Sequence, residues 1–394
     1  MFARRTGWKL TENRYSAALH KARAQGGRLI DLTASNPTHG NFDFDSAAIL
    51  SALTHRESLN YDPDPQGLLS ARNAVAGYYN TKKVRGTTHA ASPEQIFLTT
   101  STSEGYSYLF RLLCDPGDEV LVARPSYPLF EFLAEMQDVQ LRCYELFYDH
   151  GWHIDFGGLE GLITQRTRAV LVVNPNNPTG SFVRCQELDQ IAALCRKQTL
   201  ALISDEVFLD YEIEGASEAS AAFSNECLSF ALSGLSKISC LPQMKLAWIV
   251  VNGPAELRDQ AHARLQIIAD TYLSVNAPIQ HALPLLLDQR FNVQPQLVRR
   301  VRNNLALLDK RLESARAIRR LVVDGGWYAV LRVPARQSDE DLAIELIQRF
   351  GVIVHPGHFY DFPQDGYIVV SLITPDEEFR EGANVVIGFL DGLL

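Results

Sequence analysis

Six short apolar runs between residues 95 and 251 restrict this chain to a small set of folds. Most of the runs are solidly hydrophobic rather than alternating, as expected for strands that are buried on both faces. Longer segments with helical spacing separate them, for example residues 103–113, 129–137 and 185–197. This alternation predicts an α/β fold, a mostly parallel sheet sandwiched by helices, with its ligand site at the carboxyl ends of the strands. The runs lie at 95–100, 119–123, 168–174, 200–204, 228–232 and 246–252.

The character of the sequence changes after residue 255. Helical patterns continue to about residue 317, and short strand-like segments and a final helix follow them. The chain has 394 residues, which is enough for two packed domains of ordinary size. We therefore predict a large domain at 46–285 and a smaller α+β domain formed by 1–45 and 286–394. The predicted strands of the smaller domain are 321–323, 328–333, 352–355 and 367–372.

Charge and cysteine content argue against several other classes of protein. The net charge of −9 does not suit a dedicated nucleic-acid binder, and the basic run at Arg299, Arg300 and Arg302 fits a solvated helix face. The six cysteines show no C-x-x-C spacing and no companion histidine cluster, so we expect neither a metal site nor a disulfide framework. No apolar run approaches the roughly 20 residues that span a bilayer, and no signal peptide is evident. We expect a cytoplasmic protein with no membrane partner.

Three polar features stand directly after predicted strands. Residues 174–180 read N-P-N-N-P-T-G, and two prolines and a glycine within seven residues favour a rigid turn. Asp205 ends another apolar run, where a carboxyl group is costly unless it meets a cation or a strong donor. Lys237 follows a third run among small residues, which leave room for a flat ligand. Each feature alone has an ordinary explanation, as a turn, a strand end or a surface lysine.

Together, in this order and at this spacing, the three features resemble the class I/II aminotransferases, which are fold-type-I pyridoxal-phosphate enzymes. The resemblance covers nearly the whole chain. It implies that pyridoxal 5'-phosphate is the cofactor and that Lys237 forms a Schiff base with it. Asp205 would pair with the pyridinium nitrogen, and Asn177 would donate a hydrogen bond to the phenolic oxygen of the ring. Lys237 and Asp205 are thus the expected catalytic residues.

The phosphate of such a cofactor requires free N–H groups and hydroxyls, which the N-terminus of a helix supplies. Residues 100–105, T-S-T-S-E-G, stand between a predicted strand and a predicted helix. A plain helix cap, in which Ser101 and Glu104 form a capping box, is an alternative that is compatible with phosphate binding. The further cofactor residues that the resemblance implies are Ser101, Thr102 and Ser103 around the phosphate, Tyr127 stacked on the ring, Lys245 as the main phosphate cation and Ser236 as an additional hydroxyl.

Two more segments match the family outside this cluster. Tyr61, in Y-D-P-D-P-Q-G, resembles the tyrosine that reaches the phosphate in the neighbouring subunit's site, although its spacing to the glycine is one residue longer than usual. This implies a two-fold homodimer with shared active sites. Asn36, in S-N-P-T, falls where the family has a loop that closes over the substrate.

Two positions depart from the family pattern. The family usually has a tyrosine three residues after the aspartate, where this chain has Phe208. The arginine that holds the substrate α-carboxylate is expected two residues before Ser371, where this chain has Val369. Another cation must compensate, or the substrate lacks that group, because an unpaired carboxylate in a closed site is costly. The candidate substrate residues are Asn36, Trp327, Arg332, His355 and His358, with His358 favoured as the carboxylate dock and Arg332 as its rival.

The resemblance implies an aminotransferase that moves an amino group between an amino acid and a 2-oxo acid. The same fold also carries lyases, decarboxylases and cyclising enzymes of specialised metabolism, and these remain alternatives. A cofactor-binding transcriptional regulator would need a DNA-binding domain in front, whereas this chain enters the predicted fold within its first few dozen residues. The identities of the amino donor and acceptor stay open.

Overall fold

The structure, a computed structural model, describes residues 1–82, 90–214 and 219–393. Its helices are α1 (Arg14–Ala24), α2 (Ser46–Ala52), α3 (Leu69–Asn80), α4 (Thr102–Leu113), α5 (Leu129–Glu135), α6 (Phe156–Gly161), α7 (Cys185–Gln198), α8 (Leu235–Ile238), α9 (Ala255–Tyr272), α10 (Ala277–Asp288), α11 (Arg290–Leu312), α12 (Asp339–Phe350) and α13 (Asp376–Asp391). Its strands are β1 (Ile30–Asp31), β2 (Ile96–Thr99), β3 (Glu119–Arg124), β4 (Gln140–Tyr148), β5 (Trp152–Ile154), β6 (Thr167–Val173), β7 (Ala201–Asp205), β8 (Ser229–Gly234), β9 (Ala247–Asn252), β10 (Arg319–Arg320), β11 (Tyr328–Arg332), β12 (Val352–Ile353), β13 (His355–Pro356) and β14 (Tyr367–Ser371).

Eight strands form the central sheet, in the order β2-β9-β8-β7-β6-β3-β4-β5. The pairs from β8 to β4 are parallel, whereas β9 is antiparallel to both of its neighbours and β5 is antiparallel to β4. The predicted mostly parallel α/β sheet is confirmed, and all six predicted strands belong to it. Strands β4 and β5 add an edge that the apolar runs do not predict, because β4 is only partly buried and lacks a continuous hydrophobic stretch.

Helices cover both faces of this sheet. On one face α4, α5 and α9 pack over a core that contains Phe97 and Ile249. On the other face α2, α3, α7 and α10 pack over a core that contains Leu98 and Trp248. Successive residues of one strand thus enter opposite cores, which is why these strands are apolar at every position rather than at alternate ones.

A third core joins the two ends of the chain. Strand β1 pairs in parallel with β12, and β10, β11, β14 and β13 form an antiparallel sheet in that order. Tyr15, Leu32 and Phe42 from the N-terminal part pack in the same core as Leu297 and Phe379. This arrangement agrees with a small domain built from both termini, and the boundaries 1–45, 46–285 and 286–394 remain predictions.

Two predicted strands of this region are wrong in detail. Residues 321–323 are not a strand, and the pairing with β11 is made instead by Arg319–Arg320. The single strand predicted at 352–355 divides at Val354, so that β12 pairs with β1 and β13 pairs with β14. The division places His355 opposite Val369 on β14.

The segments that follow β2, β6, β7 and β8, which contain the predicted site residues, lie at the same edge of the central sheet. Thr99 at the end of β2 pairs with Ala247, and Ala247 pairs with Gly234 at the end of β8. Asp205 at the end of β7 pairs with Val173 at the end of β6. The segments that follow these strands therefore leave the sheet together, as the sequence predicts for a ligand site of this fold.

Two features are absent from residues 1–82, 90–214 and 219–393. No helix in them is long and apolar enough to cross a membrane, and no group of three or more His, Cys, Asp or Glu side chains could hold a metal ion. The six cysteines are free, and Cys195, Cys227 and Cys240 are buried while the other three are half-buried.

Candidate active site

Lys237 lies on the short helix α8, directly after β8. Gly234 is required at the junction, because a Cβ atom there would lie 2.8 Å from the Cβ of Ala247 on the adjacent strand. The hydroxyl of Tyr211 donates to the backbone oxygen of Lys237 at 2.5 Å. The turn that presents the lysine is therefore fixed by close backbone packing on one side and by a buried phenol on the other.

The Lys237 amine sits between aromatic rings. Its Nζ atom is 4.5 Å from the centroid of the Trp327 ring and 5.3 Å from that of Phe208. It is also 3.4 Å from the backbone oxygen of Ser35, in the N-terminal part of the chain. The structure thus brings together Lys237, Phe208 and Trp327, three residues that the sequence analysis assigned to the site, and adds Ser35.

Burial lowers the pKa of the Lys237 amine from 10.5 to about 8, and the negative charge of Asp205 opposes part of this shift. A charged ammonium loses hydration between the two rings, so its neutral form becomes relatively more stable. A lysine with such a pKa has a substantial neutral fraction near neutral pH and can act as a nucleophile toward a carbonyl carbon.

Asp205 is buried at the end of β7. Its carboxylate accepts a hydrogen bond from the Tyr106 hydroxyl at 2.7 Å and another from the Val207 N–H at 3.1 Å. Burial raises the pKa of the Asp205 carboxyl above its usual value. The two hydrogen-bond donors and the charge of Lys237 reduce this rise but do not cancel it. Within the described ranges, Asp205 has no ion-pair partner within 4.0 Å. A protonated ring nitrogen placed beside it would supply the missing positive charge.

Tyr106 is a site residue that the sequence analysis missed. It lies on α4 at the spacing of core residues, and only its buried hydroxyl distinguishes it from an ordinary aromatic core side chain. The adjacent acid Glu206 points the other way, since its carboxylate accepts from Ser220 Oγ at 2.6 Å and from the Ala221 N–H at 2.8 Å. Asp205 and Glu206 therefore have separate roles.

Asn177 is buried in the turn that follows β6. Its Oδ1 atom has no hydrogen-bond partner among the described residues. The turn is anchored by Gly180, whose φ of +70° suits glycine and whose backbone oxygen accepts from the Gly325 N–H at 2.8 Å. A buried amide oxygen without a partner costs free energy, so a ligand that donates a hydrogen bond at this position would fit the structure.

The N-terminus of α4 has the features of an anion site. Ser101 caps the helix by accepting from the Glu104 N–H at 3.2 Å. Glu104 does not complete the predicted capping box with Ser101, because its carboxylate instead accepts from the Thr100 N–H at 2.7 Å. Ser101, Thr102 and Ser103 are half-buried, which leaves hydroxyls and backbone N–H groups available at the positive end of the helix.

Lys245 and Ser236 lie at the same edge. Lys245 is exposed and stands two residues before Ala247. Ala247 pairs with Thr99, the last residue of β2 before α4, so Lys245 lies at the same end of the sheet as the start of α4. Ser236 is half-buried next to Lys237. Their predicted contacts with a phosphate remain predictions.

Tyr127 and Asn36 lie near this cluster, and Tyr61 faces outward. Tyr127 is 42% exposed. Partial burial raises the pKa of its hydroxyl and the charge of Asp205 adds to this rise, so Tyr127 lies within electrostatic range of that carboxylate. Asn36 uses Oδ1 to cap a short helical turn by accepting from the Thr38 N–H at 3.0 Å. Tyr61 is 82% exposed on a surface groove, where a second subunit could use it.

The predicted substrate residues separate into two groups. Val369 is fully buried in β14, and its cross-strand partners are Val330 and His355. Trp327 lies against Lys237, and His355 lies on the same row of the small sheet as Val369. These two remain candidates for substrate contact.

Arg332 and His358, the two cations proposed to replace the family arginine, are both exposed. Arg332 is exposed at the far end of β11, five residues from Trp327, which corresponds to roughly 16 Å along a strand. His358 is exposed, and its charge acts on Asp339 and Asp361. The preference for His358 as the carboxylate dock stays a prediction, which its exposed position beside acidic residues does not support.

The chain matches the family described as "Aminotransferase class I and II" over residues 28–386. It is 29% identical over 364 residues to the alanine aminotransferase of Mycobacterium bovis, covering 89% of this chain and 83% of that protein. It is 25% identical over 359 residues to the glutamate-pyruvate aminotransferase AlaA of Haemophilus influenzae, covering 88% and 87%. A lyase, the S-alkyl-thiohydroximate lyase SUR1 of Arabidopsis thaliana, is 32% identical over 61% of this chain and 52% of its own length.

Solved structures agree at the level of the fold. The alanine aminotransferase of Pyrococcus furiosus superposes with a TM-score of 0.87 and 22% identity, covering 100% of both chains. The fold described above is that of an aminotransferase. The chain belongs to the class I and II aminotransferase family, which generally depends on pyridoxal phosphate, and it is an amino-acid aminotransferase.

Proposed function

We propose that this enzyme holds pyridoxal 5'-phosphate through a Schiff base to Lys237. The observation that carries the proposal is the position of the Lys237 amine between the Trp327 and Phe208 rings, where its lowered pKa suits attack on an aldehyde. Asp205, without an ion-pair partner among the described residues, suits a protonated ring nitrogen. Asn177, buried in the turn after β6, would donate through its amide N–H to the phenolic oxygen.

Each residue of the site has a physical role in this proposal. The α4 N-terminus, with Ser101, Thr102 and Ser103, binds the phosphate, and Lys245 adds charge. Bound cofactor supplies an electron sink that weakens the Cα–H bond of the amino acid. Lys237, once released by the incoming amine, moves a proton to and from Cα, and Asp205 keeps a proton on the ring nitrogen by electrostatic attraction.

Alanine and glutamate are the proposed amino donors. The names of the relatives, alanine aminotransferase and glutamate-pyruvate aminotransferase, support alanine, glutamate and their 2-oxo acids.

A homodimer with shared sites is proposed as well. Tyr61, Leu59, Ile267 and Leu273 are large and exposed, and three of them line or border the groove formed by residues 58–67 and 269–280. Such apolar exposure favours burial against a second subunit. Tyr61 would then reach the partner's phosphate. The cytoplasmic location remains a prediction.

A spectral screen tests the proposed function. Amino acids are added one at a time to the purified enzyme, and the visible absorbance is followed without an oxo acid. We expect alanine and glutamate to convert the aldehyde form of the cofactor to its amine form, and pyruvate to reverse the change. Turnover of an amino acid without this conversion would favour the lyase alternative, and no visible chromophore would reject the proposed cofactor.

Phe208→Tyr should lower the pKa of the Schiff-base nitrogen seen in the visible titration by about one unit, the scale of one hydrogen bond to a charged group. The new hydroxyl would lie beside Lys237, where it can donate to the phenolic oxygen of the ring and favour its ionised state. Phe132→Tyr adds the same hydroxyl on the exposed side of α5 and should leave the titration unchanged. An unchanged or raised pKa in Phe208→Tyr would mean that this ring does not face the cofactor.

A further inference from the structure

The row of the small sheet that contains Val369 also contains a histidine. In the antiparallel pair β13–β14, His355 is directly opposite Val369, and in β11–β14 the opposite residue is Val330. Directly opposed residues of antiparallel strands have their side chains on the same face, with Cβ atoms about 5 Å apart. His355 is thus the one polar side chain in this row.

The face of the sheet that carries His355 is the face toward Lys237. Tyr328 and Ser371 form the next cross-strand pair on it, two residues along each strand. The Ser371 hydroxyl donates to the Ala34 backbone oxygen at 2.5 Å, and the Tyr328 ring is 6.5 Å from that of Phe208. The row therefore borders the loop and the ring that surround the Lys237 amine.

His355 is connected to the site by phenols. Its Nδ1 atom shares a hydrogen bond of 2.8 Å with the Tyr360 hydroxyl. Burial raises the pKa of Tyr360, and the charges of Tyr328 and Tyr127 add to this rise, so both phenols lie within electrostatic range of Tyr360. Burial raises the pKa of Tyr127, and the charge of Asp205 adds to this rise. The backbone oxygen of Tyr360 also accepts from the Ser126 N–H at 2.9 Å, which places the partner of His355 next to Tyr127.

We propose that His355, together with Tyr360, receives the α-carboxylate of the substrate and takes up a proton when it does so. Protonated His355 would donate through Nδ1 to the Tyr360 oxygen, and Tyr360 would then turn its own O–H toward the carboxylate. The proton comes from solvent, and the ion pair that results replaces the arginine expected at position 369. This rests on the proposed function, since it assumes an amino-acid substrate at Lys237.

The surroundings of His355 explain why the proton arrives only with the ligand. Burial lowers its pKa to about 4, and the carboxylate of Asp31 on β1 is the charge that partly opposes the shift. On the other sides lie the Phe359 ring and Tyr15, whose hydroxyl donates to the Val354 backbone oxygen. Helix α12 contributes Asp339, which is engaged by the Gly366 and Tyr367 N–H groups.

The sign of the pH dependence follows. Free His355 is neutral above about pH 4, and a carboxylate beside it raises the pKa of the imidazole. At a pH between the pKa of His355 in the free enzyme and its pKa in the complex, binding of the carboxylate takes up a proton. The affinity for the carboxylate therefore falls as the pH rises through this range. An arginine in the same role would stay charged and give no dependence in this range.

Calorimetry measures this proton directly. Propionate, a carboxylate with no amino group, is titrated at about pH 6 into holoenzyme whose cofactor linkage has been reduced with borohydride. Buffers with different ionisation heats give the number of protons taken up. We expect an uptake of between about half and one proton per site, because the imidazole passes from almost neutral to mostly charged.

Three variants identify the group that takes up the proton. His355→Gln should abolish the uptake and weaken propionate about tenfold, the scale of one charge-assisted contact. Tyr360→Phe should weaken propionate and retain the uptake. His358→Gln, three residues away and exposed, should behave as the unmodified enzyme. The visible spectrum and thermal unfolding of each variant verify folding.

The outcomes separate this inference from the proposed function. Binding without proton uptake, uptake that survives His355→Gln, uptake that is lost in His358→Gln, or no propionate binding would each overturn the role of His355. If alanine still converts the cofactor in the spectral screen, the proposed function stands in all four cases. Failure of that conversion rejects the function independently of the calorimetry.

Discussion

Lys237→Ala is expected to fold and to bind pyridoxal phosphate without a covalent bond, and its turnover should fall by about 10³-fold or more. The variant loses the attachment point and also the group that moves a proton at Cα, and general acid–base catalysis alone contributes about 10²–10⁴-fold. Single-turnover kinetics with alanine, followed by the visible absorbance, measure the change on the chemical step.

Lys197→Ala is the matched control. Lys197 is exposed and pairs with Glu160 on the surface, so its removal should leave turnover within about twofold, as expected for a surface ion pair. A Lys237→Ala variant that turned over at a rate close to that of the control would remove Lys237 from the chemistry.

Asp205→Asn should reduce the rate of the chemical step by about 10²–10³-fold, the usual effect of removing one preorganised electrostatic contact. The amide keeps the size of the side chain, so the Tyr106 contact and the strand end should be preserved. It lacks the charge that keeps a proton on the ring nitrogen. We expect the loss in kcat rather than in KM, because the contact strengthens as charge develops on the ring.

Glu206→Gln makes the same change at the next residue. Its carboxylate contacts Ser220 and Ala221 rather than the site, so kcat should stay within a few fold even if stability changes. Equal losses in both variants would indicate that the effect comes from disturbing β7 and not from the charge of Asp205.

The central sheet was predictable because burial on both faces leaves a strong signal. Four neighbouring strands, β6, β7, β8 and β9, are buried at almost every position, and the polar residues that matter lie at or just after their ends, as Asp205 and Lys237 do. Strand β4 was not predictable from this signal, since most of its side chains are half-buried or exposed. Tyr106 was hidden for the opposite reason, because it has the spacing of a core residue.

The predicted substrate residues were less predictable, because their positions depend on which strands pair with each other rather than on the local sequence pattern. His355 and His358 are equally polar in sequence, and only the break in the strand at Val354 pairs His355 with Val369. Arg332 has the charge that the site requires, but its position at the exposed end of β11 follows from register. Long-range pairing of this kind is set by the whole fold and cannot be read from a single segment.

The attachment of the cofactor to Lys237 is the claim on which the account depends most. Borohydride reduction of the yellow enzyme, followed by digestion and mass spectrometry, locates the bond. The account predicts one modified peptide, which contains Lys237, and no label in Lys237→Ala. A label on another lysine, such as Lys245 or Lys197, or no label at all, would contradict it.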